Sequence, residues 1–480
     1  MKQRLAVVAL ALLTGGCLMG PDYTRPEIPA VPAEFRAAGT QAPSAASLAD
    51  VKWFELFQDE ALQDLIRTAL QQNYDLRVAV ARVLQARAQL GITRADLFPQ
   101  LDGNAAFEAL RQAENGRIRL PTTTNPRTGR VELVPGTTRE LNFYQGGVTL
   151  SWELDLWGKF RRLTEAARAE LLGSEETRRA VTISLVSEVA QAYFELRALD
   201  LELQIAQSTR QARERGLRLT TIRRDRGVAS ALDIRQAENL LYTALATIAD
   251  LNRQIEQKEN QLSLLLAQNP GEIPRGRFLV EQSIPPEIPP GLPSALLDRR
   301  PDIRAAEQSL VAANARIGAA KALYFPQISL TGLLGVESRA LGDLVRKGAW
   351  VWNAGASAAV PIFNAGRISS QVDLAEALRG EALVQYEQTI RTAFREVADA
   401  LVGYRQTREQ YQQQALLVAA LRDASRLSLL RYQGGLDSYL QVLDADSRLF
   451  DAELRLAQLR RDELIAVVQL YKALGGGWEP

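Results

Sequence analysis

Asp444 and Asp446 sit two residues apart in a long helix-patterned stretch near the end of the chain. A metal would need their carboxylates to converge, but positions i and i+2 of a helix point to different sides. No histidine is present, which removes the commonest general base and the commonest metal ligand. The only cysteine is Cys17 and the two methionines are Met1 and Met19, so the body of the chain has no thiolate or thioether site. Ser-His and Cys-His catalysis are excluded on the same grounds. No Gly-rich loop ending in Lys-Ser or Lys-Thr is there to cradle a nucleotide phosphate. The 57 basic and 56 acidic residues leave no basic footprint for nucleic acid. The expectation is a protein that is not an enzyme, with no catalytic residue, no metal and no nucleic-acid partner.

Cys17 has a different chemistry open to it. Lys2 and Arg4 precede an apolar run, Leu5 to Leu13, of signal-peptide length and too short to span a bilayer. Thr14-Gly15-Gly16-Cys17 follows, and it looks like the cleavage site of a bacterial lipoprotein. Residues 1–16 are then a signal peptide, and Cys17 becomes the lipidated N-terminus. That covalent lipid is the only expected cofactor. Leu18, rather than aspartate, follows the cysteine, which by the same resemblance sends the protein to the outer membrane.

The elements that hold any functional residue come in two copies. Asn73–Arg77 recurs as Arg300–Arg304 and Phe98–Leu101 as Phe325–Ile328, at one constant offset. Trp157–Lys159 recurs as Ala365–Arg367, Glu188–Ala192 as Glu396–Ala400, and Gly227–Ser230 as Gly435–Ser438, at a second, smaller offset. The first copy therefore carries extra residues between Pro99 and Gly158. A repeat of this length implies two structurally equivalent halves packed side by side. The division expected is a lipidated extended tether over 17–50, a first repeat over 51–267, a linker over 268–293, a second repeat over 294–475 and a tail over 476–480. The linker holds Pro270, Pro274, Pro285, Pro286, Pro289, Pro290 and Pro293 and is expected to run along the surface.

Most of each half is helix. Leu185, Val189, Ala192, Leu196, Leu199, Leu203 and Ala206 are spaced alternately by four and three, a coiled-coil seam. Ala393, Val397, Ala400, Tyr404, Thr407, Tyr411 and Gln414 repeat the stripe. A helix of about 65 residues starting near Gly158 would be roughly 95 Å long. Gly227 and Gly435 break the runs, and Ser230 and Ser438 can cap the returning helices.

The inserts have period two. Val148, Leu150, Trp152, Leu154 and Leu156 alternate with Thr149, Ser151, Glu153 and Asp155. Strands are expected at about 99–113, 141–156, 326–338 and 350–363, the length of tilted membrane-spanning strands. Phe98, Trp157, Phe160, Phe325, Trp350 and Phe363 stand where an aromatic girdle would lie. Four strands cannot close a membrane barrel, which needs at least eight, and an open edge cannot face lipid. Several copies must share the barrel. The polar Arg111–Arg139 stretch fits an external loop.

Several segments together resemble the TolC-like outer-membrane efflux proteins, specifically the lipidated OprM-type branch. They are Cys17 with Pro21-Asp22-Tyr23, Arg299–Glu307, Tyr324–Leu330, Val360–Arg367 and Tyr471–Trp478. The resemblance implies a mainly α fold with a small membrane β-barrel portion, in which a trimer shares a twelve-stranded barrel above a coiled-coil α-barrel crossing the periplasm. It implies an exit channel for small molecules such as drugs or toxic compounds, working with a periplasmic adaptor and an RND-type inner-membrane pump. By position in the turn Tyr432–Asp444, Leu436, Leu440 and Asp444 resemble the residues that constrict the periplasmic tip. Their spacing of four and four puts them on one helical face. The alternative for Asp444 is a solvated residue pairing with Arg448. The family often carries an arginine three residues after this aspartate; here it is Ser447. Arg431 and Tyr432, with Arg223 and Asp225 in the first repeat, resemble the residues that tie the tip helices together in the closed state.

Overall fold

The computed structural model describes residues 18–27, 35, 47–111, 122–127, 129–134, 140–283 and 293–476. Cys17, the signal peptide, most of the tether and much of the external loop lie outside the described residues.

The repeat is carried element by element. In the first half, α1 (Glu60–Gln72) leads into α2 (Tyr74–Ala95), strands β1 (Gln100–Arg111) and β2 (Glu140–Leu154), and helices α3 (Lys159–Asp225) and α4 (Ala231–Leu265). In the second half come α5 (Pro301–Ala322), β3 (Gln327–Ser338), β4 (Trp350–Ala359), α6 (Arg367–Gln433) and α7 (Tyr439–Ala473). The long helices α3 and α6 each have 67 residues, and their returning partners α4 and α7 each have 35. Each long helix stops before a glycine with positive φ, Gly227 at +79° and Gly435 at +75°, a conformation that an L side chain resists. The last strand ends at Ala359, short of the expected 363, because Pro361 has no N–H to give a ladder.

The chain divides into two units. The first takes in residues 87–169 and 311–380 with the N-terminal segment to Thr24. Its four strands form one antiparallel sheet in the order β1-β2-β3-β4. The register puts Leu101 opposite Leu150, Trp152 opposite Leu330 and Leu334 opposite Trp352. Directly paired residues share a face, so Leu101, Val148, Leu150, Trp152, Leu330, Leu334, Trp350 and Trp352 gather on one side. Gln100, Asp102, Gln145, Thr149, Ser151, Ser329, Thr331, Asn353 and Ser357 gather on the other. Trp350 and Trp352 are 73% and 75% exposed. Gly147 and Gly335 are paired, and a Cβ on Gly335 would meet Gly146 O at 2.4 Å, so no side chain fits at this crossing. At the base of the sheet Trp157 stacks on Phe325 at 4.8 Å and donates its indole N–H to Pro326 O at 2.7 Å.

The N-terminal segment of this unit, 18–24, forms an extended strap held against α3 and α5. Arg162 on α3 is 2% exposed and donates to Met19 O, Gly20 O, Asp22 and Glu165. Asn314 on α5 donates to Pro21 O. Gly318 leaves room for the strap, since a Cβ there would meet Met19 O at 2.4 Å.

The second unit holds residues 25–86, 170–310 and 381–480. Its core gathers Leu62, Ile66, Val189, Tyr193, Leu196, Leu262, Leu470 and Tyr471, all 3% exposed or less. The coiled-coil stripe of α3 supplies much of it. The described part of the linker, 268–283, is mostly exposed, with Ile273 and Leu279 buried as anchors. Asp59, 1% exposed, holds it by accepting from the Tyr193 hydroxyl, Arg277 N and the Gln282 amide. Burial, together with the neighbouring Asp59 charge, pushes the Tyr193 phenol well above its ordinary pKa.

Candidate functional site

The candidate residues lie at the two turns that join α3 to α4 and α6 to α7. Ser438 precedes the first turn of α7, so Leu440 and Asp444 project one helical turn apart from its start. Leu436 is 70% exposed and Leu440 53%. Asp444 is also exposed and accepts from Arg448 at 3.1 Å, the i,i+4 pairing weighed as its alternative. An exposed pair of this kind contributes about 0.3–0.5 kcal/mol, so it does not prevent the carboxylate from serving another role. Only Leu440 and Asp444 share the helical face expected for all three, because Leu436 lies in the turn before the Ser438 cap, outside α7.

The turn is held by contacts among the other candidates. Arg431 donates to Asp437 at 2.5 Å. That contact holds the Asp437 carboxyl below the usual carboxylate range and raises the Arg431 guanidinium. Tyr432 is 5% exposed, and its ring meets Tyr439 at 5.1 Å. Arg223 reaches over from α3: its guanidinium lies 4.6 Å from the Tyr432 ring centre and donates to Gln433 O at 3.2 Å. The structure thus brings Arg223, Arg431 and Tyr432 to one turn. Asp225, the last residue of α3, makes no ion pair among the described residues.

The most buried charge near the turn was missed in the sequence. Arg213 on α3 is 5% exposed and donates to Asp446 on α7 at 2.8 Å and to Leu240 O on α4 at 2.7 Å. Its guanidinium also lies 4.8 Å from the Phe450 ring. The signal was available: continuing the four-three seam past Ala206 places Arg213 on the apolar stripe. Asp446 faces this arginine while Asp444 faces Arg448, so the two carboxylates do point apart. Burial, with the Asp446 charge nearby, pushes the Tyr439 phenol up to about 12.

Among the described residues no cluster of acidic or cysteine side chains could hold a metal, and no helix is long and apolar enough to cross a membrane. A four-stranded sheet with one apolar and one polar face, together with coiled-coil hairpins of this length, is the build of an outer-membrane channel protein. The chain belongs to the outer membrane efflux protein family, whose model matches residues 65–268 and 292–476. It is 38% identical to the solvent efflux pump outer membrane protein SrpC of Pseudomonas putida, over 100% of this chain and 99% of that one. It is 36% identical to the cation efflux system protein CusC of Escherichia coli, over 99% of each. The open-state crystal structure of the Neisseria gonorrhoeae MtrE outer membrane channel superposes with a TM-score of 0.83 at 33% identity, covering 96% of this chain and 99% of that one. This protein is an outer-membrane efflux channel.

Proposed function

We propose that three copies of this chain form the exit duct of a tripartite efflux system, gated at the turn between α6 and α7. The observation that carries this is the sheet. Its four strands end in β1 and β4 with no further strand beside either among the described residues. Unpaired strand edges are not tolerated in lipid, and three copies supply twelve strands for closure. Cys17 carries the lipid that tethers each copy, and 51–267 and 294–475 are its two repeats. The partners are a periplasmic adaptor and an RND-type inner-membrane pump.

The duct is passive. Solvent and cation appear in the names of relatives that align along their whole length with this chain. Selectivity then resides in the pump, and the cargo is a range of small toxic molecules. Leu436, Leu440 and Asp444 form stacked three-fold rings at the tip; the apolar rings exclude water and the carboxylates favour cations. Arg431, Tyr432 and Arg223 hold the turn closed, with Asp225 at the neighbouring helix end.

Native mass spectrometry in detergent should give three copies; one or two would overturn the assembly. Replacing Leu440 and Asp444 together with alanine should raise single-channel conductance in planar bilayers and weaken cation preference. Unchanged conductance and selectivity in an assembled variant would place the constriction elsewhere.

A further inference from the structure

Every helix that joins the sheet does so at one end: α2 runs into β1, β2 into α3, α5 into β3 and β4 into α6. The connections β1–β2 and β3–β4 therefore lie at the other end, which is the external one in an outer-membrane channel whose helices fill the periplasm. The shorter connection, 339–349, is described throughout. It holds Arg339, Arg346 and Lys347 against one acid, Asp343. The longer one, 111–139, carries six arginines against two glutamates. The whole chain has 57 basic and 56 acidic residues, so positive charge is concentrated at this end.

The shorter loop also exposes apolar side chains. Val336 opposite Trp350 is the last pair of the β3–β4 ladder, and Trp350 stands on the apolar face. Just beyond it Leu341 is 66% exposed and Val345 92%. Neither is packed into protein, and water alone gives no reason for placing them there. The three cations are also available. Arg339 and Lys347 make no ion pair among the described residues. Arg346 meets Asp343 at 2.9 Å in an exposed contact of little strength, which leaves its guanidinium further N–H donors. Glu337, the nearest other acid along this hairpin, stands opposite Gln145 on the polar face. An apolar tip flanked by cations, beside a tryptophan at the end of a strand, has the composition of a segment lying between acyl chains and anionic headgroups.

We propose that the β3–β4 loop binds the phosphate groups of an outer-leaflet glycolipid, with Arg339, Arg346 and Lys347 on the headgroup and Leu341 and Val345 among its acyl chains. A guanidinium offers two parallel N–H donors to one phosphate, and the lysine adds a compact charge. The lipid then supplies the counter-charge for loops that would otherwise repel one another where copies of the chain meet. This rests on the shared barrel proposed above for which face meets lipid, and the two fail separately in the test below.

The probes are lipid A, lipid A stripped of its phosphates, and inorganic phosphate, each added to the full-length channel in detergent and counted by native mass spectrometry. Wild type should retain lipid A and not the dephosphorylated form, and inorganic phosphate at the same concentration should not displace it. Each cation near an anionic surface is worth about a five-fold change in binding, so Lys347→Gln should weaken lipid A binding about five-fold and Arg339→Gln/Arg346→Gln/Lys347→Gln about a hundred-fold. Leu341→Ser/Val345→Ser should weaken it with the charge untouched. Equal lipid A binding by wild type and both charge variants would overturn the proposal. Equal retention of the dephosphorylated form would overturn phosphate recognition, and displacement by inorganic phosphate would make this a free-anion site instead of a lipid site. A wild-type chain that is not trimeric, yet binds lipid A in a way that needs these cations, would overturn the assembly and uphold this site.

Discussion

Arg213 and Asp446 join the two repeats: a guanidinium on α3 and a carboxylate on α7 meet at 2.8 Å, with the arginine side chain 3% exposed. Leu240 O and the Phe450 ring complete its surroundings, so three helices converge on one charge. Removing one member of such a pair leaves the other without compensation. Arg213→Ala should cost about 3–5 kcal/mol, at the low end because Asp446 retains some solvent contact. Exchanging the two, Arg213→Asp with Asp446→Arg, should recover part of the loss. Denaturant unfolding in detergent measures both, and equal stability of the single and exchanged variants would show that the pair is not coupled.

The strap that follows Cys17 gives a second prediction. Arg162 is buried because Met19, Gly20 and Asp22 come to it. Arg162→Ala should cost about 1.5–3 kcal/mol, the range for hydrogen bonds made to a charged group. Gly318→Val should displace the strap by a different route, through collision with Met19 O. Both variants should expose residues 18–24 to limited proteolysis while mass spectrometry still finds lipid on Cys17. Protection equal to the wild type in both would show that the slot does not hold the strap.

These two contacts mark where the sequence was legible and where it was not. The alternating runs announced the strands, and the register then gathered Leu150, Leu334 and Trp352 on one face as the alternation required. The seam from Leu185 to Ala206 announced the core, because a four-three stripe has only one way to be buried. Composition marked the Pro-rich linker and the tether as extended chain but not what anchors them. Asp59 holds the linker at Arg277 and Gln282, and Arg162 holds Met19, Gly20 and Asp22, partners more than a hundred positions away in sequence. At the tip, spacing put Leu440 and Asp444 one turn apart on α7, but it did not show that Leu436 falls in the turn before that helix, and only coordinates could join Arg223 to Tyr432.

Acid should loosen the second turn through one pair. Arg431 holds the Asp437 carboxyl below its ordinary pKa, so its folded value is depressed. The contact is therefore fully present above the usual aspartate value of about 4 and is lost as pH falls through the depressed value. Conductance should be indifferent to this pair between about pH 5 and 8 and should rise in more acid solution. Asp437→Asn should abolish that part of the acid response. A bilayer titration of wild type against Asp437→Asn decides it, and parallel curves would rule the pair out.

The sheet supplies the sharpest contrast between neighbouring residues. Leu150 lies opposite Leu101 on β1 and Gly332 on β3, on the face that also carries Trp152, Leu334 and Trp352. Thr149, next to it, lies opposite Asp102 and Leu333 and donates its hydroxyl to Asp102 O at 3.3 Å. If the first face meets acyl chains, a guanidinium at Leu150 must be taken out of water with no partner, at about 2–4 kcal/mol near the midplane. At Thr149 the same guanidinium stays on the polar face, with Asp102 across the ladder to receive it, and should cost under about 1 kcal/mol. Leu150→Arg should therefore fail to assemble in lipid or melt well below wild type, while Thr149→Arg should assemble normally. Because the two backbone positions share the same strand and nearly the same depth, a general intolerance to arginine would affect both. Equal assembly yields and equal melting in lipid would mean that the apolar face does not contact the bilayer.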